Sequence, residues 1–117
     1  MIRFYGYGKC STCRQAKQHL MKAGVTFEDI DITQSPPPAY VLKAILKSGD
    51  YTLGRLFNRS GELYRSMNMK TKLPGLSEAE AIKLLAASGK LIKRPIVTDG
   101  KKHTVGYDAG VFEEVWG

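Results

Sequence analysis

The chain has 117 residues, 43% of them hydrophobic and 25% charged, with 18 Lys and Arg against 11 Asp and Glu for a formal net charge of +7. That length suits a single domain with its own core, and no apolar run approaches the roughly 20 residues a membrane-spanning helix needs. The basic residues are scattered, pairing only at Lys93-Arg94 and Lys101-Lys102, so direct nucleic-acid binding through a basic, aromatic-interleaved surface is not expected.

Met1 to Tyr7 mixes β-branched and aromatic residues and reads as a buried strand. Gly6 and Gly8 loosen the backbone before Lys9-Cys10-Ser11-Thr12-Cys13-Arg14. A helical pattern follows from Thr12 to Ala23, with Ala16, Leu20 and Ala23 on one face and Gly24 suited to end it. Val25 to Ile32 reads as a second strand, completing a β-α-β unit of the kind that builds a right-handed parallel pair.

Ser35-Pro36-Pro37-Pro38 breaks the pattern. The last proline can start a helix whose apolar face carries Val41, Leu42, Ile45 and Leu46. Leu53, Leu56 and Phe57 precede a turn at Asn58-Arg59-Ser60-Gly61, and Leu63, Tyr64 and Met67 predict another short helix. The stretch of about 36–75 is therefore a helical insertion. Ser77-Glu78-Ala79-Glu80 is a capping box for a helix with Ala81, Ile82, Leu84 and Leu85, ended by Gly89.

Leu91 to Thr98 reads as a strand entered through Pro95, Asp99-Gly100 as a turn, and Lys102 to Tyr107 as the return strand. Asp108 can cap a last helix striped with Val111, Phe112, Val115 and Trp116. The fold class is α/β: a thioredoxin-like β-α-β plus β-β-α core, with the helical insertion between the second strand and the later helix. One domain over 1–117 accommodates all of it.

The chemistry concentrates at Cys10 and Cys13. A thiol at a helix N-terminus faces unpaired backbone N–H groups and the positive end of the helix dipole, which favour the nucleophilic thiolate. Lys9 and Arg14 are expected to add to that effect. Residues three apart on a helix are surface neighbours, so the two sulfurs can close a disulfide if side-chain geometry allows. Two buried, inert thiols are the plainer alternative. A zinc site would need four ligands; with His19 and His103 isolated and no second cysteine pair, no bound metal is expected. No basic segment leads into an apolar signal region, which leaves the cytoplasm as the expected compartment; there, a vicinal pair is more often catalytic or sensing than structural. His19 is expected in solvent, Tyr5 and Tyr7 packed around the first strand, Trp116 capping the core, and Lys9, Arg59 and Lys93 as solubilising charges.

Tyr5-Gly6 with Cys10-Ser11-Thr12-Cys13-Arg14 and Ala16, Leu56-Phe57-Asn58 with Gly61 and Tyr64-Arg65, Leu91 to Val97, and Val105-Gly106-Tyr107 together resemble the arsenate reductase/Spx family of thioredoxin-like proteins. Nearly the whole chain takes part, and the small Spx-like and MgsR-like members are the nearest in pattern. The resemblance implies a nucleophilic Cys10 and makes Cys13 the second cysteine of Spx-type members. It also implies Arg14 beside the thiol, Arg65 and Arg94 as oxyanion-binding arginines, and Pro95 as a cis proline facing the cysteine loop. A further arginine of the reductases falls at Tyr107, which weakens the expectation of arsenate chemistry because fewer guanidinium forks are available.

Two functions follow from the resemblance. One is a thiol-disulfide reductase with a Cys10 nucleophile and a Cys13 resolving thiol, favoured over arsenate reduction, with no bound cofactor and glutathione or thioredoxin as reductant. The other is a Spx-type redox-sensing regulator that binds RNA polymerase through the C-terminal domain of its α subunit, the helical insertion being the natural partner surface. Nothing in the sequence demands more than a monomer.

Overall fold

The computed structural model describes all residues, 1–117. Strand β1 (Ile2–Gly6) is the centre of the first half of the fold. Phe4 and Tyr5 are adjacent, so they point to opposite faces, and both are buried. Cover on both faces explains why two aromatic residues stand side by side in β1. It pairs in parallel with β2 (Phe27–Asp31), Ile2 opposite Phe27. On its other side it pairs antiparallel with β3 (Ile96–Thr98), Phe4 opposite Val97. A hairpin adds β4 (His103–Val105), giving the strand order β2-β1-β3-β4. Gly6 has a packing reason: a side chain there would collide with the Phe4 ring.

Helix α1 (Ser11–Lys22) buries Cys13, Ala16 and Leu20, one stripe at helical spacing. Gly24 ends it at φ +73°, and the Val25 N–H reaches back to the Leu20 carbonyl at 2.9 Å. Ala23, expected on the buried face, is the exposed C-cap residue instead. Helix α6 (Ala109–Trp116) starts where the Asp108 carboxylate accepts the Val111 N–H at 3.1 Å. It buries Phe112 and Trp116 and turns Val111 outward.

α1 and α6 pack together, and Phe4, Cys13, Ala16, Leu20, Val97, Phe112 and Trp116 form one apolar cluster. Each full-sized side chain in it contributes on the order of 1.5–3 kcal/mol from leaving water. The Trp116 indole N–H finds a buried acceptor in Thr104 Oγ1 at 3.0 Å. Lys17 ties α1 to β2 by an ion pair with Asp29 at 2.6 Å.

The chain divides into two compact units, Met1–Ile32 with Arg94–Gly117, and Thr33–Lys93. The second is built from helices: α2 (Ala39–Lys47), α3 (Glu62–Ser66), α4 (Met69–Lys72) and α5 (Glu78–Ala87). α2 packs on α5. The capping box of α5 is formed in both directions, Glu80 N–H to Ser77 Oγ at 3.1 Å and Ser77 N–H to Glu80 Oε1 at 2.9 Å. No helix is long and apolar enough to cross a membrane.

One element differs from its sequence reading. Leu91 to Thr98 is not a continuous strand. Gly89–Leu91 is a 3₁₀ turn, and Ile92 forms an isolated bridge with Phe57. Leu91 accepts the Asn58 N–H at 2.7 Å, and Lys93 donates to the Leu56 carbonyl at 2.8 Å, so this backbone is already paired within the second unit. Pro95 has no N–H to give a ladder, and only Ile96–Thr98 joins the four-stranded sheet.

Candidate functional site

Cys10 is the N-cap residue of α1. Its backbone is extended, with φ −92° and ψ 116°, and its sulfur accepts the Cys13 N–H at 3.4 Å. A sulfur thus occupies the capping place usually filled by a serine or aspartate oxygen. The Cys10 N–H donates to the Tyr7 carbonyl and its own carbonyl accepts the Arg14 N–H, both at 3.1 Å. Cys10 is half-buried, whereas Cys13, one turn into the helix, is 2% exposed.

The two thiols ionise very differently. Burial alone would raise Cys10, but a hydrogen bond from the Cys13 thiol outweighs it, together with the Cys13 N–H, the charge of Arg94 and the Thr12 N–H. The result lies below the ordinary 9.0. Burial pushes Cys13 up to about 12, aided by its bond to the Cys10 sulfur and the charge there, and opposed by the Tyr7 N–H and Arg94. Of this coupled pair, Cys10 gives up its proton more readily and Cys13 less.

Arg94 belongs to the same unit as the thiols, and its guanidinium lies over the Tyr7 ring, 5.3 Å from the centroid. The Arg94–Pro95 peptide is cis, and the Pro95 carbonyl accepts the Gly106 N–H at 2.8 Å. Arg14 is exposed and donates to the Gly8 carbonyl at 3.1 Å, tying the helix start to the loop before it. Arg65 lies on α3 in the second unit and donates to the Ser60 carbonyl at 3.2 Å. Of the expected site residues, the first unit therefore holds Cys10, Cys13, Arg14, Arg94 and Pro95.

Tyr7 is a site residue that the sequence does not single out. Its N–H reaches the Cys13 sulfur, its carbonyl holds the Cys10 N–H, and its ring lies under Arg94. The one sequence signal is its place three residues before Cys10, the spacing of a turn. His19 also differs from expectation: it is half-buried, edge-on to Phe112 at 5.5 Å, and bonded to the Tyr107 hydroxyl at 3.2 Å. No group of three or more His, Cys, Asp or Glu side chains is placed to hold a metal ion.

A half-exposed sulfur capping the helix of a parallel β-α-β unit, with an antiparallel hairpin beside it, defines a thiol-site protein of thioredoxin-like fold. Within that class, the chain belongs to the ArsC family, whose model matches residues 5–115. It is 46% identical over 115 residues to the uncharacterized protein YusI of Bacillus subtilis, covering 98% of each chain. It is 27% identical over 109 residues to the regulatory protein MgsR of the same organism, covering 93% of this chain and 85% of MgsR. Among solved structures, a possible arsenate reductase from Streptococcus mutans UA159 superposes with a TM-score of 0.85 at 42% identity, over 92% of this chain and 91% of that one.

Proposed function

We propose that the protein is a thiol-disulfide reductase that uses Cys10 as nucleophile and Cys13 as resolving thiol. The observation that carries this reading is the division of labour between the two sulfurs. Cys10 is accessible and holds its proton weakly; Cys13 is buried and holds its proton tightly.

In the first step, Cys10 thiolate attacks one sulfur of a partner disulfide. A mixed disulfide forms, and the other partner sulfur leaves as thiolate. In the second, Cys13 gives its proton to solvent or to a departing thiolate and attacks Cys10. The second partner thiolate leaves, and a Cys10–Cys13 disulfide remains. Two electrons pass from the pair to the partner, and a glutathione or thioredoxin system returns them. Arg94 steadies the negative sulfur in both steps, and Arg14 holds the loop through Gly8.

Disulfide chemistry fits better than arsenate reduction. One guanidinium nitrogen of Arg14 is engaged with the Gly8 carbonyl. Tyr107, standing where the reductases carry an arginine, bonds His19. Compact oxyanions need several free guanidinium donors. Arg65, the other arginine matched to an oxyanion role, is dispensable in the disulfide reading.

The test is turnover of a mixed glutathione disulfide with a regenerating reductant. Cys10→Ser is expected to abolish it, and Cys13→Ser to accumulate the mixed disulfide at Cys10. Full turnover by Cys10→Ser rejects the reading.

The similarity to MgsR, named as a regulatory protein, favours one second reading. Here the same disulfide switches binding to RNA polymerase, at the C-terminal domain of the α subunit, and nothing turns over. Capture of that domain only in one redox state, without disulfide turnover, would select it. Either function suits a reducing, cytoplasmic setting.

A further inference from the structure

Within the second unit, an open pocket of about 420 Å³ is lined by Arg59 from the turn before α3, Tyr64 of α3, Lys70 of α4, and Leu73 and Pro74 of the 3₁₀ turn Leu73–Gly75. By sequence Arg59 reads as a solubilising charge and Tyr64 as part of a short helix. Three features set the pocket apart from an ordinary surface dent.

Tyr64 is 7% exposed, with its ring edge-on to Phe57 at 6.1 Å, and its hydroxyl bonds no group of the chain and is open to solvent. What remains accessible of it lines the pocket.

Arg59 and Lys70 are both exposed, and neither is engaged in an ion pair. The Arg59 guanidinium lies close to Gly54, where a Cβ would come within 2.7 Å of it. From 55 to 72 the sequence carries Arg55, Arg59, Arg65, Lys70 and Lys72 against Glu62 alone, so the local field favours anions.

The α3–α4 connection brings these groups to one place. Asn68 sits in the left-handed region at φ 54°, the chain's sole non-glycine residue there, and starts α4 immediately after α3. Leu73 and Pro74 add apolar lining.

We infer that this pocket is a binding site for a small organic anion, with an oxyanionic head, carboxylate or phosphate, held by Arg59, Lys70 and the Tyr64 hydroxyl, and a compact apolar body against Leu73 and Pro74. The guanidinium fork and ammonium match a charged oxygen head, the hydroxyl donates to one further oxygen, and the volume suits a ligand of modest size. The inference is independent of the thiol chemistry and stands or falls separately from it.

The test is an amide-shift titration of the full chain with phenyl phosphate, benzoate, inorganic phosphate and phenol. Saturable shifts confined to residues 59–74 are expected with phenyl phosphate, benzoate or both, the stronger of the two identifying the preferred head. Inorganic phosphate, lacking the body, and phenol, lacking the charge, are each expected to bind at least about tenfold more weakly than the stronger of the two, a difference of about 1.4 kcal/mol. The Arg59→Gln/Lys70→Gln double variant should lose binding by at least a similar factor. Tyr64→Phe, which keeps the ring against Phe57, should weaken it with no change in the helical circular dichroism. Equal affinity for phosphate and phenyl phosphate, binding unaffected by the double variant, or the absence of any saturable shift overturns the inference.

Discussion

The Arg94 guanidinium lies 5.3 Å from the centre of the Tyr7 ring, and Tyr7 in turn holds the Cys10 N–H at 3.1 Å through its carbonyl. The charge that helps keep Cys10 ionised therefore rests on an aromatic face belonging to the same loop. A cation over such a face gains about 0.5–1 kcal/mol. Tyr7→Leu is accordingly expected to raise the Cys10 pKa, because it removes the face that steadies Arg94. Tyr7→Phe keeps the ring and should leave it in place. In an Arg94→Ala background, Tyr7→Leu should have no further effect, and thiol titration of the four proteins checks the cycle.

The Cys13 thiol is the strongest of the groups that lower Cys10. A hydrogen bond to a charged acceptor is worth about 1.5–3 kcal/mol, so Cys13→Ala should raise the Cys10 pKa. Cys13→Ser retains an O–H donor and should keep most of the depression. Titrating Cys10 in both variants separates the donor from mere bulk.

The raised Cys13 pKa also sets a stability limit at alkaline pH. The folded thiol keeps its proton up to about 12, whereas the unfolded one releases it near its ordinary 9.0. Between those values the unfolded chain binds fewer protons, so Cys13's contribution to stability is full below 9.0 and is lost as pH rises through about 12. Cys10 acts in the opposite sense: its contribution is full above 9.0 and is lost as pH falls through its lowered folded value. Denaturant midpoints from pH 8 to 11 should decline less steeply in Cys13→Ala than in the parent, on the free-energy scale of about 1.4 kcal/mol per pKa unit.

Trp116 offers a test of the core that leaves the thiols alone. Its indole N–H donates to Thr104 Oγ1, and both residues are buried. Thr104→Val keeps the shape and strands the donor, at an expected cost of about 1–3 kcal/mol. Urea denaturation measures the loss, while the rate of Cys10 alkylation should not change.

Much of the fold is written locally in the sequence. The strand, glycine loop and Cys-x-x-Cys helix start can be read from pattern and turn chemistry, as can the Gly24 stop, the Ser77–Glu80 box and the Asp108 cap. Each depends on interactions within a few residues. What cannot be read depends on distant partners. Leu91 to Thr98 has strand composition, but the Leu91 and Lys93 backbone pairs with Asn58 and Leu56 rather than extending β3. His19 has the spacing of a solvated residue, yet Tyr107 and Phe112, nearly ninety positions away, half-bury it. Tyr7 reads as a core aromatic because its value lies in an Arg94 that only the folded sheet brings to it.

One sulfur gives up its proton below 9.0, and its neighbour keeps its own well above that. Iodoacetamide labelling across a pH series, with the modified cysteine assigned by mass spectrometry, reads this directly. Labelling of Cys10 alone is expected, with its midpoint below 9.0, and Cys13 should stay silent until the solution approaches its value of about 12. A Cys10 midpoint at or above 9.0, or equal labelling of both cysteines at neutral pH, is incompatible with the site described.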